Sequence, residues 1–185
     1  MNKNTIEYQK MIADEVMSKL ETFDPTCILA GGAPRDWYFG NLATDLDFFV
    51  YFRPDFAGQM WRYAELLETL GFRMERKGSK SANIVPPNYK RNPYLIGVYE
   101  QEYKGVKIQV MFMNEKTFTS VVPQFPFGIC QAWYKPGFGI NTTDHFDYSV
   151  KHKILALLND LYNDADGYVE KIRSKFPDYY YLGRK

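Results

Sequence analysis

Gly31-Gly32, Arg35 and the aspartates Asp45 and Asp47 are the residues of this 185-residue chain whose types and spacing could do chemistry together. Glycines let backbone N–H groups approach a ligand closely, and a helix starting just after them adds partial positive charge. The hydrophobic run Cys27-Ile28-Leu29-Ala30 leads into the pair as a strand, and the segment after it can turn helical, with Pro34 tolerated in the first turn. Arg35 adds a formal charge, so this segment reads as a grip for a polyanion. In the extended stretch from Asp45 to Tyr51 the two carboxylates point to one side and Leu46, Phe48 and Val50 to the other. Two oxygen ligands on one face suit magnesium.

The elements around these residues must hold them in place. Asn4 followed by Glu7 marks a helix start, and Ile12, Val16, Leu20 and Phe23 recur at helical spacing until Asp24-Pro25. After the glycine turn a short helix runs through Trp37-Tyr38-Phe39, whose rings pack it onto a sheet, and Gly40-Asn41 lead into the acidic strand. Met60, Tyr63, Ala64, Leu67 and Leu70 outline another amphipathic helix closed by Gly71. Residues 77–81 and 86–90 read as loops, and Lys77, Lys80 and Lys90 in them are candidates for phosphate or acceptor contacts against a background of ordinary surface lysines. Leu95 to Tyr103 and Val106 to Met113 form a β-hairpin around Lys104-Gly105. A further strand pair is expected at 128–134 and 138–141, and a long helix from Asp144 carries Phe146, Val150, Ile154, Leu157, Leu158 and Leu161 on one face. A last short helix precedes Phe176-Pro177.

Composition narrows the functional classes. A net charge of +1 with 24% charged residues excludes a global basic field, so any nucleic-acid contact must be local. Aromatic residues make up 17% of the chain, enough for a core of large rings and for stacking surfaces besides. Cys27 and Cys130 form no CxxC or Cys/His cluster, and His145 and His152 lack a third ligand, which argues against zinc and against a disulfide framework. No apolar run reaches the length of a membrane span, and reduced thiols fit a cytoplasmic protein. One domain over 1–185, with the helices from about 144 as an appendage, is the expected organisation.

The order strand, Gly-Gly, two residues, Arg-Asp, three residues, Gly, four residues, Asp-x-Asp resembles the DNA polymerase β-like nucleotidyltransferase superfamily. It is most similar to the head-domain motif of CCA-adding enzymes and bacterial poly(A) polymerases. Gly31, Gly32, Arg35, Asp36, Gly40, Asp45 and Asp47 fill those positions without insertion. The match is strong over 26–51 and extends as a fold to about 113. It implies an α+β nucleotidyltransferase fold, a small mixed sheet with packed helices. It also implies that Gly31 and Gly32 cradle the triphosphate of an NTP, that Arg35 assists, and that Asp45 and Asp47 bind Mg2+ and are catalytic. The reaction implied is attack of a hydroxyl on the α-phosphate with loss of pyrophosphate, two magnesium ions stabilising the attacking and leaving oxygens. An RNA or tRNA end is the favoured acceptor, a protein or small-molecule hydroxyl the alternative. Asp36 is expected to orient Arg35 or the helix start. Thr44 is a further candidate for holding the strand.

The superfamily adds a third carboxylate from a neighbouring strand, and here the strand Val106 to Phe112 offers Gln109 instead. An amide oxygen can coordinate a cation but cannot take a proton from a hydroxyl. Glu100 or Glu102 on the preceding strand could substitute, two aspartates could suffice, or the site could bind nucleotide without efficient catalysis. The last case makes the chain a nucleotide- or RNA-binding module. No Arg-Arg-Asp or Glu-Asp-x-x-Arg motif follows, so autonomous CCA addition is not expected. The tail from Lys171 interleaves cations with aromatics, which suits either single-stranded nucleic acid or a solvated helix with a docked end.

Overall fold

A computed structural model describes residues 4–51, 65, 67–71, 94–113, 121–159 and 165–183. Its centre is the alternating stretch after Asp45, which forms strand β2 (Leu46–Tyr51), with β1 (Ile28–Ala30) before it. The hairpin follows as β3 (Leu95–Tyr103) and β4 (Val106–Met113), turning at Lys104 and Gly105, both at positive φ. With β5 (Ala132–Lys135) and β6 (Gly139–Thr142) these make one six-stranded mixed sheet, ordered β3-β4-β2-β1-β5-β6. Only β2 and β4 pair in parallel within it. That pairing sets β4 directly beside the acidic strand.

The period-2 pattern of β2 divides the core. Leu46, Phe48 and Val50 join Ile108, Val110 and Phe112 on one face, beneath helix α1 (Ile6–Leu20), whose Ile12, Val16 and Leu20 are fully buried. Leu67 and Leu70 of the predicted amphipathic helix are buried in the same layer, and Gly71 has a φ of +83°. The other face holds Phe49, Tyr51, Met111 and Met113, covered by Phe125, Phe127, Phe146, Leu155 and Ile172 from the last third of the chain. Burial of each large apolar side chain contributes about 1.5–3 kcal/mol. Trp37 packs into the first layer and Phe39 against Phe146 and Phe176 of the second; Tyr38 is half exposed, with its ring against Phe146.

Several expected boundaries move. The cap of α1 is Thr5, not Asn4: its hydroxyl accepts from the Tyr8 N–H at 3.1 Å, and Phe23 lies beyond the helix end. Gly128–Cys130 is a 3-10 turn, not the start of a strand, closed by the Gln131 N–H on the Gly128 carbonyl, and Gly128 packs so closely on His145 and Ser149 that a Cβ would lie 2.8 Å from them. The long helix from Asp144 stops early: α3 (Asp144–His152) ends where Lys153 turns left-handed at φ +52°. Ile154–Ala156 then forms β7, paired in parallel with β8 (Tyr180–Leu182), so Ile154 sits on a strand that a distant partner creates. Between them runs α4 (Ala165–Lys175). The tail therefore docks, with Tyr179 and Tyr181 against the second core layer. Met60, Tyr63, Ala64, Leu161 and the loops carrying Lys77, Lys80 and Lys90 lie outside the described residues. Among those described, no helix is long and apolar enough to cross a membrane.

Candidate active site

Gly31 ends β1 with φ +86° and ψ −117°, a conformation only glycine adopts readily, and helix α2 (Gly32–Tyr38) starts on it. Its own N–H is committed to the Ala132 carbonyl at 2.9 Å. Gly31 thus serves the turn by its shape, and the N–H groups of Gly32 and Ala33 are the ones at the start of α2 without a helical partner, since Pro34 has none and that of Arg35 bonds the Gly31 carbonyl. At Gly32 the fold sets no requirement: a Cβ there would meet no atom nearer than Arg35 Nη2 at 3.7 Å, an ordinary contact.

Arg35 and Asp36 follow on α2, both buried. Arg35 Nη2 stands 2.7 Å from Asp36 Oδ1, and Lys175 Nζ of α4 lies 2.6 Å from Asp36 Oδ2. Arg35 also donates to Cys130 Sγ at 3.2 Å. Burial opposes the guanidinium charge, but Cys130, Asp36 and Tyr168 outweigh it and raise the Arg35 pKa above its ordinary value. Asp36 is the orienter of Arg35 that its place in the sequence suggests.

Asp45 immediately precedes β2 and Asp47 lies within it. The approach loop is held by Gln9 of α1, which donates to the Ala43 carbonyl and accepts from the Ala43 N–H and the Trp37 indole. Asp47 is half-buried, yet its Oδ1 is shut off from solvent with no hydrogen-bond partner. Burial first, and the charge of Asp45 second, push its carboxyl up to about 7. A buried carboxylate oxygen left unpaired is costly unless a cation meets it.

Register fixes the third position. Asp47 pairs with Gln109 across the β2–β4 ladder, and Gln109 with Glu100 across β3–β4, so the three side chains form a row on one face. Gln109 Nε2 donates to Glu100 Oε2 at 2.6 Å, and Lys107 lies 3.1 Å from the same oxygen. Burial works to raise the Glu100 pKa, but Lys107 and Gln109 prevail and hold it below the usual carboxylate range. Glu102, by contrast, pairs with Lys107 further along and is not among the residues that line the cavity described below.

These residues share a cavity of about 520 Å³, within the ligand-sized range of about 300–1,000 Å³. Gly31, Gly32, Arg35, Asp45, Asp47, Glu100 and Gln109 all line it, as does Thr44. Part of its lining is apolar, with Phe49, Met111 and Phe125. Another wall is α4, through Tyr168, Lys171, Ile172 and Lys175. Sequence reading did not find this wall. The spacing of those four residues groups them on one helix face, but nothing local says which surface that face meets. Among the described residues no group of three His, Cys, Asp or Glu could hold a metal ion; of the four carboxylates that line the cavity, Asp36 and Glu100 are ion-paired, and Asp45 and Asp47 are the other two. One or two carboxylates plus substrate phosphates are in general enough to hold magnesium.

No protein-family model matches the chain, and no curated protein matches it in sequence. Solved structures do. A tRNA-processing enzyme in an apo form superposes with a TM-score of 0.60 at 15% identity, covering 95% of this chain and 44% of that one. The Thermotoga maritima CCA-adding enzyme complexed with tRNA gives a TM-score of 0.61 at 14% identity, covering 95% and 40%. A tRNA nucleotidyltransferase complexed with a primer tRNA and an incoming ATP analogue gives 0.58 at 11%, covering 90% and 46%. The chain spans less than half the length of each, and the likeness is one of fold.

Proposed function

We propose that this chain, which has the fold of CCA-adding enzymes and tRNA nucleotidyltransferases, binds an NTP as its magnesium complex and transfers the nucleotidyl group to a hydroxyl, with an RNA end as the favoured acceptor. The observation that carries this is the unpartnered, buried Oδ1 of Asp47 beside Asp45, in one ligand-sized cavity with a glycine turn. Asp45 and Asp47 would hold magnesium, which when bound supplies charge neutralisation at the α-phosphate and the leaving oxygen. The opening N–H groups of α2, those of Gly32 and Ala33, donate to phosphate oxygens, and a ligand's approach gives Gly32 the reason to be glycine that the fold itself does not. Arg35, kept ionised in its buried site, adds a fixed positive charge behind them. The acceptor oxygen bonds to the α-phosphorus as the bond to pyrophosphate breaks.

A second reading, a nucleotide- or RNA-binding module, is favoured by one observation: Gln109 stands level with Asp47, where an amide cannot accept the hydroxyl's proton. Glu100 is committed to Gln109 and Lys107. Calorimetry with ATP or CTP and magnesium, alongside a pyrophosphate-release assay offering RNA 3′ ends, proteins and small hydroxyl compounds, separates the readings. Binding with release is the result expected. Binding without release on any acceptor leaves the module, and metal-dependent binding that survives Asp45→Ala with Asp47→Ala overturns the site.

A further inference from the structure

The face of α4 that lines the cavity repeats at helical spacing, and three of its members are anchored. Tyr168 donates to Cys130 Sγ at 3.4 Å, Ile172 is 1% exposed in the second core layer, and Lys175 is ion-paired to Asp36. Lys171 lies between them on the same face, one turn before Lys175. It lines the cavity, is exposed, and among the described residues makes no ion pair.

The other cations of the site are committed. Arg35 and Lys175 share the single carboxylate of Asp36, and Lys107 is held by Glu100. Lys171 lines the same cavity as Asp45 and Asp47, and among the positive charges around Asp47 it has the greatest influence. Its charge thus belongs to the cavity that the glycine turn and the acidic strand also line, and among the described residues it has no acid of its own.

We infer that Lys171 is a phosphate-binding residue for the triphosphate of the incoming nucleotide, and that Lys175 acts as a positioning residue by tying α4 to Asp36. This rests on the NTP reading of the site. The phosphates that leave as pyrophosphate carry most of the ligand's negative charge, and a lysine meets them as a point charge with three donors. The apolar neighbours Ile172 and Phe125 keep water from part of this wall and strengthen that attraction.

The test compares wild type, Lys171→Ala, Lys171→Arg and Lys175→Ala by calorimetry with Mg-ATP, AMP and inorganic tripolyphosphate, each variant's thermal melt being recorded first. Lys171 is exposed, so Lys171→Ala should melt as wild type does. It should bind Mg-ATP and tripolyphosphate roughly tenfold or more weakly while AMP binding is unchanged, and Lys171→Arg should restore most of the loss. Lys175→Ala should lower the melting temperature and weaken Mg-ATP binding together. Unchanged Mg-ATP affinity in Lys171→Ala, or equal losses for ATP and AMP, overturns the assignment while leaving the NTP site standing. Failure of the wild type to bind any of the three ligands overturns both.

Discussion

At the scale of single residues, Asp47 and Gly32 each carry a signature that distinguishes a ligand's demand from the fold's. Asp47 has a carboxyl near 7 in the folded chain against an ordinary value of 3.8. The folded state therefore holds its proton more tightly than the unfolded state. Stability from this group is retained at low pH and lost as pH rises from about 4 through about 7, by on the order of 2–4 kcal/mol. Asp47→Asn removes the ionisation. In metal-free buffer it should melt above wild type at pH 8, the gap should close toward pH 5, and magnesium-dependent NTP binding should be lost at both. A gap independent of pH would mean that Asp47 is not the titrating group. Gly32 gives the complementary case. It sits in the first turn of a helix with room for a methyl, so Gly32→Ala should leave stability level or raise it by up to about 1 kcal/mol, read in thermal melts. Mg-ATP binding should fall, because the added Cβ occupies the space that the phosphates approach. Unimpaired binding would place the triphosphate elsewhere.

At the scale of elements, what the sequence makes legible is what local periodicity and register determine. The alternation in β2 assigns Leu46, Phe48 and Val50 to one core and Asp47 to the opposite face, and the hairpin ends at Met113 as its pattern says. Gln109 is readable as the neighbour of Asp47 because β4 has the same alternation. What is not legible depends on partners far along the chain. Ile154 looks helical until Tyr180–Leu182 arrives to pair with it, and the cavity-facing side of α4 is set by Asp36, remote in sequence, and by the second core layer. Gln9 is the same kind of residue: a polar side chain in α1 whose amide satisfies the Ala43 N–H and C=O and the Trp37 indole in the loop before Asp45. Gln9→Ala leaves those buried groups unpaired and should destabilise the chain by about 2–3 kcal/mol in urea melts. Since the loop it fixes delivers Asp45, magnesium affinity should weaken with it. A change in stability without a change in metal binding would separate the loop from the site.

At the scale of the whole molecule, the last third of the chain is both core and site. Phe146, Leu155 and Ile172 are buried against Phe49 and Met111 of the central sheet, while Lys171 and Lys175 of the same segment line the cavity. Removing residues 144–185 would strip three large apolar side chains from one sheet face, a loss of about 5–9 kcal/mol by transfer alone. That is of the order of a small protein's entire stability, about 5–15 kcal/mol. The shortened chain should keep much of its far-UV dichroism but lose near-UV signal and a sharp melt, since the surviving layer between α1 and the sheet can still collapse. Restoring the missing segment as a separate polypeptide should recover the melt only if it docks as a folded unit through Phe146 and Ile172. A truncated chain that melts as cooperatively as the full one would show that the glycine turn and acidic strand stand on the α1 layer alone. The C-terminal segment would then serve the cavity without supporting the fold.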